Sequence, residues 1–277
     1  MANPVFARSD SFNGRRMQQN NFQQYQQPGQ PQGYGHPQGY GQPQGYQQVP
    51  TQQAGGVMTL DDVIAKTAIT LLVVFAAALA TFMLVPMSLL YPIMIGSAVI
   101  GLITVFVVAG RHKLPVGGVM FYALVEGVFV GAISKFFETQ WPGIVVSAVL
   151  ATFVAAAATL AAYKFFNIRV TPKFRKFVTI ATMSLAGVLL VNFVLALFNV
   201  DTGLRDIGSG AGWLSIGISV LAVGLAVFNL IVDFDFVERG IASRAPASES
   251  WRAAFGITVT MVWLYIEILR ILSYFRD

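Results

Sequence analysis

Near the end of the chain stands Trp263-Leu264-Tyr265-Ile266-Glu267-Ile268-Leu269-Arg270, inside an apolar stretch that extends from Trp251 to Phe275. A helix over this stretch is long enough to cross the hydrocarbon core of a bilayer. It places Glu267 well inside the stretch, where an ionisable side chain costs roughly 2.5–3.5 kcal/mol on membrane-insertion scales. We therefore expect Glu267 to hold a proton, a cation, water or a basic partner. An acid in this position indicates a functional site.

The composition indicates a polytopic membrane protein. Hydrophobic residues make up 55% and charged residues 11% of the 277 residues, whereas soluble proteins carry about 25% charged residues. The chain has no cysteine, and its two histidines lie far apart at His36 and His112, so thiolate sites and histidine clusters are excluded. The net charge of +5 comes largely from basic residues between apolar segments. We attribute it to orientation in the membrane and expect no nucleic-acid partner.

The chain divides into two parts. Residues 1–57 contain a six-residue repeat based on Pro-Gln-Gly-Tyr and almost no aliphatic side chains. Because such a segment cannot bury enough apolar surface to fold, we expect a disordered cytoplasmic tail rich in Gln, Gly, Tyr and Pro. The tail is either a solvated arm or a segment that recruits a protein partner.

Residues 58–277 form the second part, for which we predict an all-α integral membrane fold, a bundle of seven transmembrane helices. Seven apolar segments have roughly spanning length. They cover approximately residues 65–85, 90–109, 117–136, 143–163, 176–198, 212–232 and 252–273. Small residues one turn apart in three of these segments favour close helix packing in lipid. They are Ser97/Gly101, Gly127/Gly131 and Gly256/Thr260.

The basic residues predict the orientation. With the N-terminus in the cytoplasm, 14 of the 18 Lys and Arg residues fall on the cytoplasmic side. Positive residues concentrate on that side of membrane proteins. We therefore predict a protein of the cell (cytoplasmic) membrane with a cytoplasmic N-terminus and an external C-terminus.

Five acidic residues lie within or at the ends of the apolar segments, and three of them present alternatives. Glu126 is either a neutral acid that hydrogen-bonds a neighbouring helix or part of an ion or proton path. At 100° per residue, Asp233 shares a stripe with Asn229, and no basic residue stands at pairing spacing from it along the same helix, so it is the better candidate for an inward-facing acid. Asp235 points elsewhere and has Arg239 at pairing distance along the helix.

The sequence also leaves alternatives for the group that pairs with Glu267. Arg270, one turn farther on, could pair with Glu267 as a counter-charge or extend to the outer interface. A Glu267–Arg270 pair that only anchors the end of the span is the simpler interpretation.

The last span, with Leu264-Tyr265-Ile266-Glu267 and a basic residue soon after, resembles the closing helix of the Bax inhibitor family, also called the transmembrane Bax inhibitor motif family. Glu126-Gly127 and Asp233 fall where that family has further signatures. The resemblance covers about residues 58–277 and is to a bacterial branch. It implies a central last helix ringed by the other six, and a proton-sensitive calcium leak gated by an acid pair.

In this chain the resemblance assigns the pair to Asp233 and Glu267, both of which could contact a transported Ca²⁺, with no other cofactor. Asp235 remains a rival to Asp233, since Phe234-Asp235 replaces the family's usual context. The spacing along the two helices predicts a mismatch of up to about 10–15 Å between the two acids. If they do meet, the two carboxylates cannot both be ionised easily, and one proton or one calcium ion would hold the helices together.

Two other functions compete with a leak. The first is a non-conducting regulator or interaction partner of a membrane protease or a stress-response complex, which the long polar tail favours. The second is an intramembrane aspartyl protease, but the second acidic helix lacks the Gly-x-Gly-Asp motif that such enzymes need. We therefore expect no enzymatic activity.

Overall fold

The architecture is a bundle of seven long helices. The structure, a computed structural model, describes residues 56–111 and 114–276. The helices are α1 (Leu60–Leu84), α2 (Leu90–Ala109), α3 (Val116–Gln140), α4 (Ile144–Phe165), α5 (Pro172–Leu197), α6 (Trp213–Ala242) and α7 (Glu249–Ser273), with a short 3-10 helix, Met87–Leu89, before α2.

Each of the seven helices is long and apolar enough to cross a membrane. This result confirms the predicted fold class and the seven predicted spans. The described residues contain no β-strand, only an isolated antiparallel bridge between Val57 and Pro246. The predicted tail, residues 1–57, lies outside the described residues except for its last two positions.

Local signals explain where several helices begin. Thr59 and Thr171 precede α1 and α5, and each side-chain oxygen accepts a backbone N–H from the first turn. These caps satisfy donors that have no partner within the helix. Glu138, near the end of α3, accepts the backbone N–H groups of Gly143 at 2.6 Å and Val145 at 3.1 Å. It therefore links the end of α3 to the start of α4.

The last helix is the centre of the bundle. α7 has the largest buried share of the seven helices that the structure describes. Its backbone packs against α1, α3, α4 and α6, whereas α2 packs on α3 and α5 packs on α6. The central position agrees with the prediction, but four helices surround α7 directly rather than six, because α2 and α5 form an outer layer.

Two glycines hold α1 against α3. A Cβ atom at Gly127 would lie 2.5 Å from the Val74 carbonyl oxygen, and one at Gly131 would lie 2.4 Å from the Ala78 carbonyl oxygen. Only glycine permits backbones to approach this closely. The predicted small-residue pair of the third span is therefore the contact surface for the first.

The two ends of the bundle are held differently. We call the end at which α7 begins the proximal end and the other the distal end. At the proximal end, Met58 N donates to the Ala245 carbonyl at 2.8 Å and Ala247 N donates to the Gly56 carbonyl at 2.8 Å. The segment before α1 is thus bound to the α6–α7 connection. At the distal end, residues 198–212, between α5 and α6, lie beside the last turns of α7.

Candidate ion-binding site along the last helix

Asp233 lies in the interior between α6 and α7. Its side chain is fully buried, and Thr260 Oγ1 on α7 donates a hydrogen bond to Asp233 Oδ2 at 2.7 Å. Asn229, one turn earlier on α6, is also buried and donates to Thr182 of α5 at 2.7 Å. The stripe predicted from the helical spacing of Asn229 and Asp233 thus faces neighbouring helices. Asp233 is the α6 acid that contacts the central helix.

Glu267 is buried near the distal end of α7 and forms an ion pair with Arg205. Only 1% of its side chain is exposed, and Arg205 donates from Nη1 to Oε2 at 3.0 Å and from Nη2 to Oε1 at 2.8 Å. Two parallel hydrogen bonds of this kind are the strong, orientation-specific form of an arginine–carboxylate pair. Arg205 comes from the α5–α6 connection, so the connection places a cation inside the bundle.

Arg270 has a different role from the one expected. It forms no ion pair with Glu267 within the described residues; instead its Nη1 donates to the Arg205 backbone carbonyl at 2.7 Å. Arg270 therefore holds the connection that carries Arg205, and Arg205 is the counter-charge of Glu267. Of the two roles left open for Arg270, a pair with Glu267 is not observed among the described residues, because the α5–α6 connection brings a second arginine to the carboxylate.

Further contacts fix this connection on the distal end. Gly208 N donates to Ser273 Oγ at 3.2 Å. Gly208 has a φ of +79°, and a Cβ atom there would lie 2.9 Å from the Trp141 ring. A glycine is required on both counts, since a side chain would be strained and would collide with the indole. The connection therefore covers the distal end of α7 in one defined conformation.

The two acids of the expected pair lie at different levels of the bundle. Asp233 is bonded to Thr260, and Glu267 lies seven residues farther along the same helix, which corresponds to about 10 Å at 1.5 Å per residue. Each acid has its own partner, so the structure does not bring the two carboxylates together as one site. The separation agrees with the mismatch expected from the sequence. The described residues contain no group of three or more acidic, histidine or cysteine side chains that could hold a metal ion.

Asp235 belongs to a separate cluster at the proximal end. Its Oδ2 accepts a hydrogen bond from Arg175 Nη2 of α5 at 2.9 Å and forms an ion pair with Arg239, one turn farther along α6. The guanidinium carbons of Arg175 and Arg239 lie 4.7 Å and 4.9 Å from the centre of the Phe236 ring. The pair predicted between Asp235 and Arg239 is present. The contacts of Asp235 point to α5, so it does not compete with Asp233 for the position facing α7.

Glu126 faces a third environment, between α3 and α2. Its Oε2 lies 3.1 Å from where a Cβ atom would be at Gly101 of α2. Tyr122, one turn earlier on α3, is buried. Glu126 therefore lies at a helix contact, and both of its predicted roles stay predictions. Gly101 of the predicted Ser97/Gly101 pair forms part of the surface on which Glu126 lies.

Two arginines that contact the bundle interior were not identified from the sequence. Arg205, whose side chain is 16% exposed, is one of few basic residues at the distal end, and that position is the signal that an intramembrane acid has a partner there. Arg252 is 1% exposed and donates to Glu249 Oε2 at 2.9 Å and to the Arg111 carbonyl at 3.2 Å. It joins the start of α7 to the end of α2, where a cation is favourable.

The chain matches a known protein family over almost its whole length. Residues 3–277 match the family described as Bax inhibitor 1 like. The match begins well before residue 58, so it extends farther towards the N-terminus than the resemblance did. A comparison with curated proteins gave no significant match. Since the family match covers nearly all of the chain and the fold agrees with it, this protein belongs to the Bax inhibitor 1 like family.

Proposed function

We propose that the protein is a proton-sensitive cation leak, with calcium as the conducted ion, and that the described structure is its closed state. The observation that carries this proposal is the ion pair between Arg205 and Glu267, which is buried beside the central helix. Arg205 neutralises Glu267 at the place where a permeating cation would need that carboxylate. Asp233, about 10 Å deeper along α7, provides a second acidic position on the same route.

Opening then requires that Arg205 leave Glu267. Protonation of Glu267 removes the charge that attracts the guanidinium, and a divalent cation competes with the guanidinium for the same oxygens. Both events weaken the contact between the α5–α6 connection and α7. This mechanism replaces a direct Asp233–Glu267 pair with two acids that act in sequence.

Calcium flux into liposomes that enclose a calcium-sensitive dye tests the proposal. We expect flux from the purified full-length protein, and altered flux in Asp233→Asn and in Glu267→Gln. Glu238→Gln is the matched control, because Glu238 is an exposed acid at the proximal end that accepts a hydrogen bond from Tyr163. Unchanged flux in both test variants would remove the two acids from the mechanism, and absent flux in the wild type would remove the leak.

A second candidate function is a non-conducting regulator of a membrane complex. The observation that favours it is the binding of residues 56–58 to the α6–α7 connection. A partner held by the N-terminal segment would lie next to the helices that carry Asp233 and Glu267. Deletion of residues 1–50 separates the candidates: lost partner binding with normal flux indicates two functions, while a full-length protein that binds its partner without conducting indicates regulation alone.

We also propose that the proximal end faces the cytoplasm and that the protein resides in the cytoplasmic membrane. Most of the basic residues between spans lie at the proximal end, as the orientation rule requires. The chain has no cysteine, so single cysteines at Ser243, proximal and exposed, and at Val200, distal and exposed, give clean labelling sites. A membrane-impermeant maleimide should label Val200→Cys and not Ser243→Cys in intact cells. The reverse pattern contradicts the orientation.

A further inference from the structure

A groove runs along the outside of the bundle between α1 and α4. Among the described helices these two do not pack against each other, and their separation leaves a cavity of about 560 Å³. Its floor consists of α3 and of the central helix α7, which contributes Met261, Val262 and Tyr265. The groove therefore separates two neighbours of α7 on the outside of the bundle, over α7 side chains that are themselves buried.

The walls of the groove are held in place by other contacts. α1 is fixed on α3 through Gly127 and Gly131, where a Cβ atom would collide with the α1 backbone. α4 packs along α7, and its first turn is bound to Glu138 at the end of α3. Because each wall is attached to the floor independently, the groove persists without a contact between α1 and α4.

The lining favours a hydrocarbon chain over a polar ligand. Phe75, Leu150 and Phe153 face outward at the rim, with 58%, 62% and 57% of their surface exposed. The polar side chains of the floor have partners within the protein. The hydroxyls of Ser134 and Tyr265 lie 2.7 Å apart, and Glu138 accepts the backbone N–H groups of Gly143 and Val145. A polar ligand would find few donors or acceptors, whereas an apolar chain would bury the exposed aliphatic and aromatic surface.

The position and length of the groove identify its occupant. Along α1 the lining extends from Leu71 to Phe82, or about 16 Å at 1.5 Å per residue. One leaflet of the hydrocarbon core is about 15 Å thick, half of the usual 30 Å. The groove lies in the distal half of the bundle and runs along two helices of spanning length.

We propose that this groove is a binding site for one acyl chain of a phospholipid in the distal leaflet, and that the bound chain contacts the central helix at Tyr265. The site depends on the packing of α1, α3, α4 and α7 and on no property of the proposed leak. A protein that conducts no ions would bind the lipid in the same way.

Photolabelling in a bilayer tests the site. The full-length protein is reconstituted with a phosphatidylcholine that carries a diazirine in one acyl chain, and the labelled peptides are identified by mass spectrometry. We expect labelling at 71–82 and 145–153 to exceed severalfold the labelling of α5, where Ile180 and Val191 are equally exposed at 55% and 60%. Equal labelling of the groove and of α5 overturns the proposal.

A pair of variants provides the control. Val149→Phe narrows the groove, because Val149 lines it and is half-buried, and it should reduce the groove labelling severalfold. Val191→Phe adds the same volume on the outer face of α5 and should leave the groove labelling unchanged. Undiminished labelling in Val149→Phe contradicts the assignment. A polypeptide captured by a photoreactive amino acid at Leu150 in native membranes, in place of lipid, also contradicts it.

Discussion

Replacement of Arg205 by glutamine should destabilise the protein through the charge that it leaves behind. Glu267 is 1% exposed and both of its carboxylate oxygens accept hydrogen bonds from Arg205. Removal of one partner of a buried ion pair typically costs about 3–5 kcal/mol, because the other charge stays buried without compensation. For a domain of this size such a loss lowers the melting temperature by on the order of 10 °C. Thermal unfolding in nanodiscs, followed by tryptophan fluorescence, measures the change.

The double variant tests whether the lost stability is due to the uncompensated charge of Glu267. In Arg205→Gln with Glu267→Gln the buried charge is absent, so we expect at least half of the lost stability to return. Arg276→Gln is the matched control at the same end, since Arg276 donates to the Pro142 carbonyl and to Ser147; its loss should cost about 1 kcal/mol. Effects of the two single variants that add within about 0.5 kcal/mol would refute the coupling on which the reasoning depends.

Two further predictions concern the contacts of α7 and α1. Thr260→Val removes the hydroxyl that donates to Asp233 and should lower the stability by about 1–3 kcal/mol. Thr258→Val should cost less, because Thr258 is also buried but bonded only to its own helix in the described contacts. Equal losses of stability in the two variants would show that the bond to Asp233 contributes nothing. Gly131→Ala places a Cβ atom against the α1 backbone and should greatly reduce the yield of folded protein. Gly217→Ala should have little effect, because there is open space around Gly217. A normal yield of Gly131→Ala would contradict the close contact of α1 and α3.

The spans and their order could be predicted because each helix crosses the bilayer with its backbone hydrogen bonds made within the helix itself. Length and hydropathy determine whether a segment can cross, and neither depends on the other helices. The pairing of Asp235 with Arg239 was predictable for the same reason, since residues four apart on a helix are neighbours. Arg175, the second partner of Asp235, comes from another helix, so no spacing along the chain could indicate it.

The partner of Glu267 depends on the conformation of the α5–α6 connection, whereas the partner Arg239 of Asp235 follows from the regular spacing of residues on a helix. Arg205 reaches Glu267 because the α5–α6 connection folds back over α7, with Gly208 in a left-handed conformation beneath Trp141. A sequence pattern predicts that a loop exists there but not the path of its backbone. The spacing argument predicted a mismatch in depth of up to about 10–15 Å between Asp233 and Glu267, and the structure places the two acids at different levels.

Because the partner of Glu267 is an arginine, only one member of the ion pair can change its charge when the pH changes. An arginine side chain stays protonated in proteins, so only the carboxylate can change its charge. Arg205 lies in the α5–α6 connection, which Arg270 holds at the Arg205 carbonyl, Ser273 at Gly208 N and Ser215 at the Asp206 carbonyl. Glu267, in contrast, lies on the most buried of the described helices. Under the proposed leak mechanism, loss of the carboxylate charge would release the connection before it disturbs the helices. A gate at the distal end would accordingly move residues 198–212, and the central helix would remain in place.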